Sequence, residues 1–184
     1  MKIWLKTGAL LAGVWLIAAI IIRFAIGAQP TAASVTAYVQ KMNLDSLQGS
    51  ARAKAIEKME GMVNRITFDD RQQLDRQGVM RDFFHQMTPD EQMAYLDATL
   101  PTGFQQLMES FNKMDPLKRK EIVTRAVNQM KEHEGDGQPP VGGNQKIAQQ
   151  VIDQGLKSFY KDANADTKLD LAPLIEQMQH NLEH

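Results

Sequence analysis

Hydrophobic and polar positions divide this chain into two regimes. From Thr7 to Ala28 the run is almost unbroken and apolar, with Arg23 its one charge. Beyond Pro30, apolar residues recur every three or four positions and are interrupted by Gly, Pro and capping residues, which predicts helices. Val35, Tyr38, Val39 and Met42 mark a first amphipathic stretch between Thr31 and Leu47, stopped by Gly49 and Ser50. Ser50 is placed to cap a helix through Ile66 whose stripe is Ala55, Ile56, Met59, Met62, Val63 and Ile66. Thr67 starts the next, with Asp69 and Asp70 in a first turn where negative charge suits the helix dipole. That helix is expected to reach Met87, bending at Gly78.

Two further starts are written almost identically. Phe84-His85-Gln86-Met87-Thr88-Pro89 and Phe111-Asn112-Lys113-Met114-Asp115-Pro116 stand 27 residues apart. Each pairs a capping residue with proline at the first helical position, and Thr88 with Glu91 forms a capping box. Two copies are too few for a solenoid, which needs about three, so shared capping chemistry explains the echo. The segment Met87-Thr88-Pro89-Asp90-Glu91 resembles the Leu-Thr-x-x-Gln helix starts of helical periplasmic chaperones, with Glu91 where that motif has Gln; the likeness covers a few residues and defines no family. Between the copies, Pro101-Thr102-Gly103 is expected to open a separate helix whose face is Phe104, Leu107, Met108, Phe111 and Met114. Leu117–Glu132 closes this block. Residues 132–144, rich in Gly, Pro and charge, read as a flexible linker. A helix from Gln145 to Lys161 follows, then a turn at Asp162–Asp166, then a last helix in which Asp170 is the expected cap and Pro173 falls in the first turn or kinks it. Two such helices bury little alone, so they are expected to pack back on the first block or on a partner.

The expected fold is all-α: a single N-terminal transmembrane helix (1–28), a helical domain (29–131), the linker (132–144) and a C-terminal helical hairpin (145–184). As a helix, the 22 residues Thr7–Ala28 span about 33 Å, enough for a hydrocarbon core of about 30 Å. The ten Leu, Ile, Val and Phe residues from Leu10 to Ile26 favour insertion by about 3–6 kcal/mol. Arg23 opposes it by up to about 3 kcal/mol at the bilayer centre and by less near the interface, where it snorkels. A cleaved signal peptide would share the basic start, but its apolar core is usually about 7–15 residues and ends at small residues three apart; here Ile26 and Pro30 flank the nearest cut. Lys2 and Lys6 precede the run and the next basic residue after it is Lys41, so the N-terminus is expected in the cytoplasm and the body in the periplasm or outside the cell. The partners expected are thus the lipid bilayer, through residues 7–28, and an unidentified protein.

Composition narrows the function further. Residues 29–184 hold 18 Lys and Arg against 22 Asp and Glu, a net of −4, which argues against a nucleic-acid partner. No polybasic stripe runs along the sequence. The absence of cysteine removes disulfides, thiolate metal sites and a lipidated N-terminal cysteine.

Few motifs could carry chemistry. Asp162-Ala163-Asn164-Ala165-Asp166, with Asp170 at the ninth place, has the alternating oxygens of a calcium loop. The sixth position is Thr167 instead of glycine and the twelfth is Pro173 instead of glutamate, and a capped turn uses the same residues. A calcium-responsive module on Asp162, Asn164, Asp166 and Asp170 is therefore the alternative function. His180-Asn181-Leu182-Glu183-His184 matches His-x-x-Glu-His of inverted zinc peptidases, but their further ligand lies downstream. His85, beside Phe83 and Phe84, reads as a packed or capping residue. Eleven methionines fall mostly on helical stripes, as adaptable core filling or as a groove that repacks around hydrophobic partners. No nucleophile or phosphate-binding motif is present, and no cofactor is implied. The expectation is a non-enzymatic, anchored interaction or assembly module that meets its partner through Phe83, Phe84, Phe104, Met108 and Phe111.

Overall fold

The computed structural model describes residues 29–132 and 145–183, with the side chains of 180–183 excepted. The run Thr7–Ala28, nearly all of the 132–144 linker and the His180, Glu183 and His184 side chains lie outside the described residues. Among the described residues the protein is all-α, with no strand, and no helix is long and apolar enough to cross a membrane.

Eight α-helices follow in order: α1 Ala32–Lys41, α2 Gly49–Val63, α3 Phe68–Arg76, α4 Val79–His85, α5 Pro89–Lys113, α6 Pro116–Glu132, α7 Gln145–Asp162 and α8 Ala165–Glu183; a 3-10 turn, Leu44–Ser46, lies between α1 and α2. Five of these starts, those of α1, α3, α5, α6 and α8, have short polar side chains that accept from otherwise unpaired amides. Thr31 with Ser34 and Thr88 with Glu91 form complete capping boxes. The Thr67 hydroxyl accepts from the Asp70 amide, the Asp115 carboxylate from Leu117 and Lys118, and the Asn164 side chain from Thr167.

Four local expectations need correction. Helix α2 starts at Gly49 after Gln48, which makes no side-chain cap bond, instead of after Ser50. The helix expected to run from Thr67 to Met87 is two, because Gly78 adopts φ +73°, a left-handed conformation that ends α3 and starts α4. Pro101 opens no helix and lies inside the 25-residue α5. It has no amide to donate to Asp97 O, and two neighbouring carbonyls take side-chain donors: Thr99 Oγ1 donates to Tyr95 O at 2.7 Å and Asn64 Nδ2 to Ala98 O at 2.8 Å. Pro173 likewise lies inside α8, because the side chain that caps this helix is Asn164, well ahead of Asp170 in the chain. Asp170 is itself engaged by Arg119.

Two cores share α5. The first gathers Val35, Leu44, Ile56, Met59, Val63, Ile66, Leu74, Phe83 and Tyr95 from α1–α4, the segments between them and the start of α5. The Tyr95 ring meets Phe83 edge-on at 6.2 Å, and its buried hydroxyl has no hydrogen-bond partner among the described residues; burial pushes the phenol's pKa up. The second core joins Met108 of α5, Val123 of α6, Phe159 and Ala163 at the end of α7, and Leu171 of α8. The C-terminal pair of helices therefore packs back on α5 and α6. Gln150 of α7 faces Met93 and Asp97 of α5, Gly155 faces Phe104, and Asn112 faces Asp162, so α5 and α7 run parallel.

Candidate functional site

One bond recurs at the helix corners. Arg52 Nη1 donates to Leu44 O (2.7 Å), Arg71 Nη2 to Val63 O (2.8 Å), Gln92 Nε2 to Phe84 O (3.1 Å), Arg119 Nη1 to Phe111 O (2.9 Å) and Lys168 Nζ to Tyr160 O (2.7 Å). Each donor stands eight residues after its acceptor and four after the N-cap of its own helix. It reaches back to a carbonyl at or near the end of the preceding element, where the last turn leaves carbonyls without partners. Four of the five donors are cations, which also suits the negative C-terminal end of a helix. The 27-residue echo is thus two instances of a corner used more widely. Sequence reasoning missed these donors, although the signal was present: a long N–H side chain four places beyond each cap.

Two of the corners carry more. Arg52 Nε and Nη2 grip the Glu91 carboxylate at 2.7 and 2.8 Å, and Nη2 also donates to Gln86 O at 2.6 Å. The Arg52 guanidinium, with help from the Thr88 amide, holds the Glu91 carboxyl down at about 2. At the α5–α6 corner, Arg119 and Asp170 are both nearly buried and pair at 2.6 Å, with Lys120 3.8 Å from the other carboxylate oxygen. Asn112 then ties this corner to the α7–α8 corner: its Nδ2 donates to Asp162 O and its Oδ1 accepts from the Asn164 amide, both at 2.9 Å.

The oxygens expected to hold calcium are directed to protein partners. Asp162 accepts from the Ser158 hydroxyl, Asn164 caps α8, and Asp170 is held by Arg119, while Asp166 is exposed in the first turn of α8. Among the described residues no group of three or more His, Cys, Asp or Glu side chains is placed to hold a metal ion. The five residues expected to form a partner face are not gathered on one surface. Phe83 is buried in the first core with Phe84 packed against it, while Met108 and Phe111 belong to the second core and Phe104 lies against Gly155. His85, the last residue of α4, is exposed.

What the joined corners do present is apolar surface. Leu117, Tyr160 and Leu169, the exposed large hydrophobics of the described body, all lie within about a turn of these two corners, at 79, 62 and 76% exposure. Beside Leu169 an open cleft of about 410 Å³ separates α6 from α8, lined by Lys120, Val123, Val127, Asp170 and Pro173 among others. No protein-family model, curated protein or solved structure matches this chain.

Proposed function

We propose that this chain is a membrane-anchored, non-enzymatic binding or assembly module whose helical body works on the extracytoplasmic side of an inner membrane, with the N-terminus in the cytoplasm. The anchor is the run Thr7–Ala28. The observation that carries the reading is where the packed body begins. Pro30 is buried and the Ala32 amide donates to Asp70 at 2.9 Å, so Gln29 alone separates the apolar run from packed chain. Two residues of extended chain reach about 7 Å, close to the thickness of one headgroup layer. Such a body is held against the bilayer.

The non-enzymatic part is supported by how the polar side chains are used. Arg52, Arg71, Arg119, Asn112 and Asp170 are all engaged in joining helices. The part of the cleft between α6 and α8 around Val127 and Asn128, about 15 Å along α6 from Leu117, is the surface proposed for a protein partner. The test extracts native membranes with carbonate and, in the same cells, places a photo-crosslinker at Asn128. The expected outcome is an unextracted chain with a discrete adduct that a Val127→Asp change abolishes. A carbonate-soluble chain with a trimmed start would overturn the anchor, and an adduct no stronger than at a control position would overturn the partner.

A further inference from the structure

We infer that the joined α5–α6 and α7–α8 corners form a second, peripheral contact with an anionic lipid surface, Leu117, Tyr160 and Leu169 entering the interface while lysines bind headgroup phosphates. The orientation of this contact rests on the anchored reading; the contact itself is tested separately.

Three observations point there. Residues 113–120 and 157–170 together carry seven basic side chains against four acidic, a net of +3 in a body whose net is −4. Lys113, Lys118, Lys157 and Lys161 are exposed and make no ion pair among the described residues. Exposed leucine and tyrosine within a few residues of unpaired lysines is the composition of a surface that lies on anionic lipid. The lysines come from two segments about 40 residues apart that Asn112 draws together, so no stripe is visible along the sequence.

The position of the chain's first packed residues agrees. Ala32 is bonded to Asp70 in the first turn of α3, and Ile66, just before that helix, accepts from Gln106 of α5 at 2.9 Å. From Gln106 to Asn112 is about 9 Å along the helix. The body therefore starts against α3, one helix away from the half of α5 that ends at the joined corners, which leaves a bilayer reached from Pro30 within range of them. A protein partner on the same surface is the competing occupant, and the experiment separates the two.

Because the chain has no cysteine, Leu117→Cys and Leu169→Cys each carry a single polarity-sensitive fluorophore, with Asp90→Cys as a control about 35 Å away along α5. Each labelled full-length chain is reconstituted into vesicles of phosphatidylcholine alone and of phosphatidylcholine with phosphatidylglycerol. The expected result is a blue-shifted emission at 117 and 169 in the anionic vesicles only, and no shift at 90. The shift should vanish with Lys113, Lys118 and Lys161 changed to Glu, and also, without any substitution, in about 1 M salt, where screening shortens to about 3 Å. Unshifted emission at 117 and 169 in both vesicles overturns the inference, as does a shift seen only in native membranes, which would assign the surface to a protein. Carbonate extraction of the same vesicles tells the two readings apart: a retained chain with water-exposed probes keeps the anchor and loses the docking surface, whereas an extractable chain whose probes shift on adding anionic vesicles does the reverse.

Discussion

Arg52 draws three separate elements together. It joins the 3-10 turn, the end of α4 and the start of α5 through Leu44 O, Gln86 O and Glu91. Its four bonds exceed the three donors of an ammonium, and two of them grip one carboxylate as a planar fork does, so lysine is no substitute. The pairing has a pH signature. Glu91 sits at about 2 in the folded protein against 4.5 unperturbed, because Arg52 hydrogen-bonds its charged form. The unfolded chain takes up a proton there first as pH falls, so the stabilisation is whole above about pH 4.5 and is lost towards pH 2. Its size is about 2 kcal/mol, that of a charged hydrogen bond with partial screening. Urea titrations between pH 5 and pH 2 should show a shallower acid loss in Glu91→Gln than in the parent, and equal slopes would refute the assignment. The capping box Thr88–Glu91 was legible in the sequence from its spacing; the reach of Arg52 to Gln86 and Glu91 was not, because they lie 34 and 39 residues away in the chain.

Among elements, the prolines are instructive. Pro101 reads as a helix start and Pro173 as a first-turn or kinking residue, and both lie inside helices. Local rules describe a helix alone in water, where a missing amide ends it; here α5 is packed into a core on each side of Pro101, through Tyr95 and Met108. At the turn between α7 and α8, the acidic spacing admits both a cap and a calcium loop. Geometry favours the cap, since Asp162, Asn164 and Asp170 each face a protein partner. Adding millimolar calcium to the full-length protein in detergent should leave its melting midpoint unmoved. A rise of several degrees would mean that these oxygens can be redirected to an ion.

For the whole molecule, the linker at 132–144 does not divide the cores. The division falls within α5, about 37 Å long, which contributes Tyr95 to one core and Met108 to the other. Gly155 sets how closely α7 approaches it: a Cβ there would lie 3.3 Å from the Phe104 ring. Gly155→Leu should force α7 away from α5 at a cost of about 1–3 kcal/mol, read as a lower denaturation midpoint together with faster proteolysis of α7 and α8. Unchanged proteolysis would mean that the two helices are held chiefly by the α6–α8 contact and the Arg119–Asp170 pair.

The sequence by itself determined the helical class, the apolar run at residues 7–28, the Thr31, Thr67 and Thr88 starts and most of the core stripes, because capping and helical periodicity act within a few residues. Tertiary structure decided which apolar side chains remain outside. Phe83, Phe84 and Met108 looked available and are covered by other helices, while Leu117, Tyr160 and Leu169 are left exposed. It also decided where charge collects, since lysines distant along the chain become neighbours only when Asn112 joins the two corners. Exposure and long-range charge depend on what packs opposite, and no local pattern encodes that.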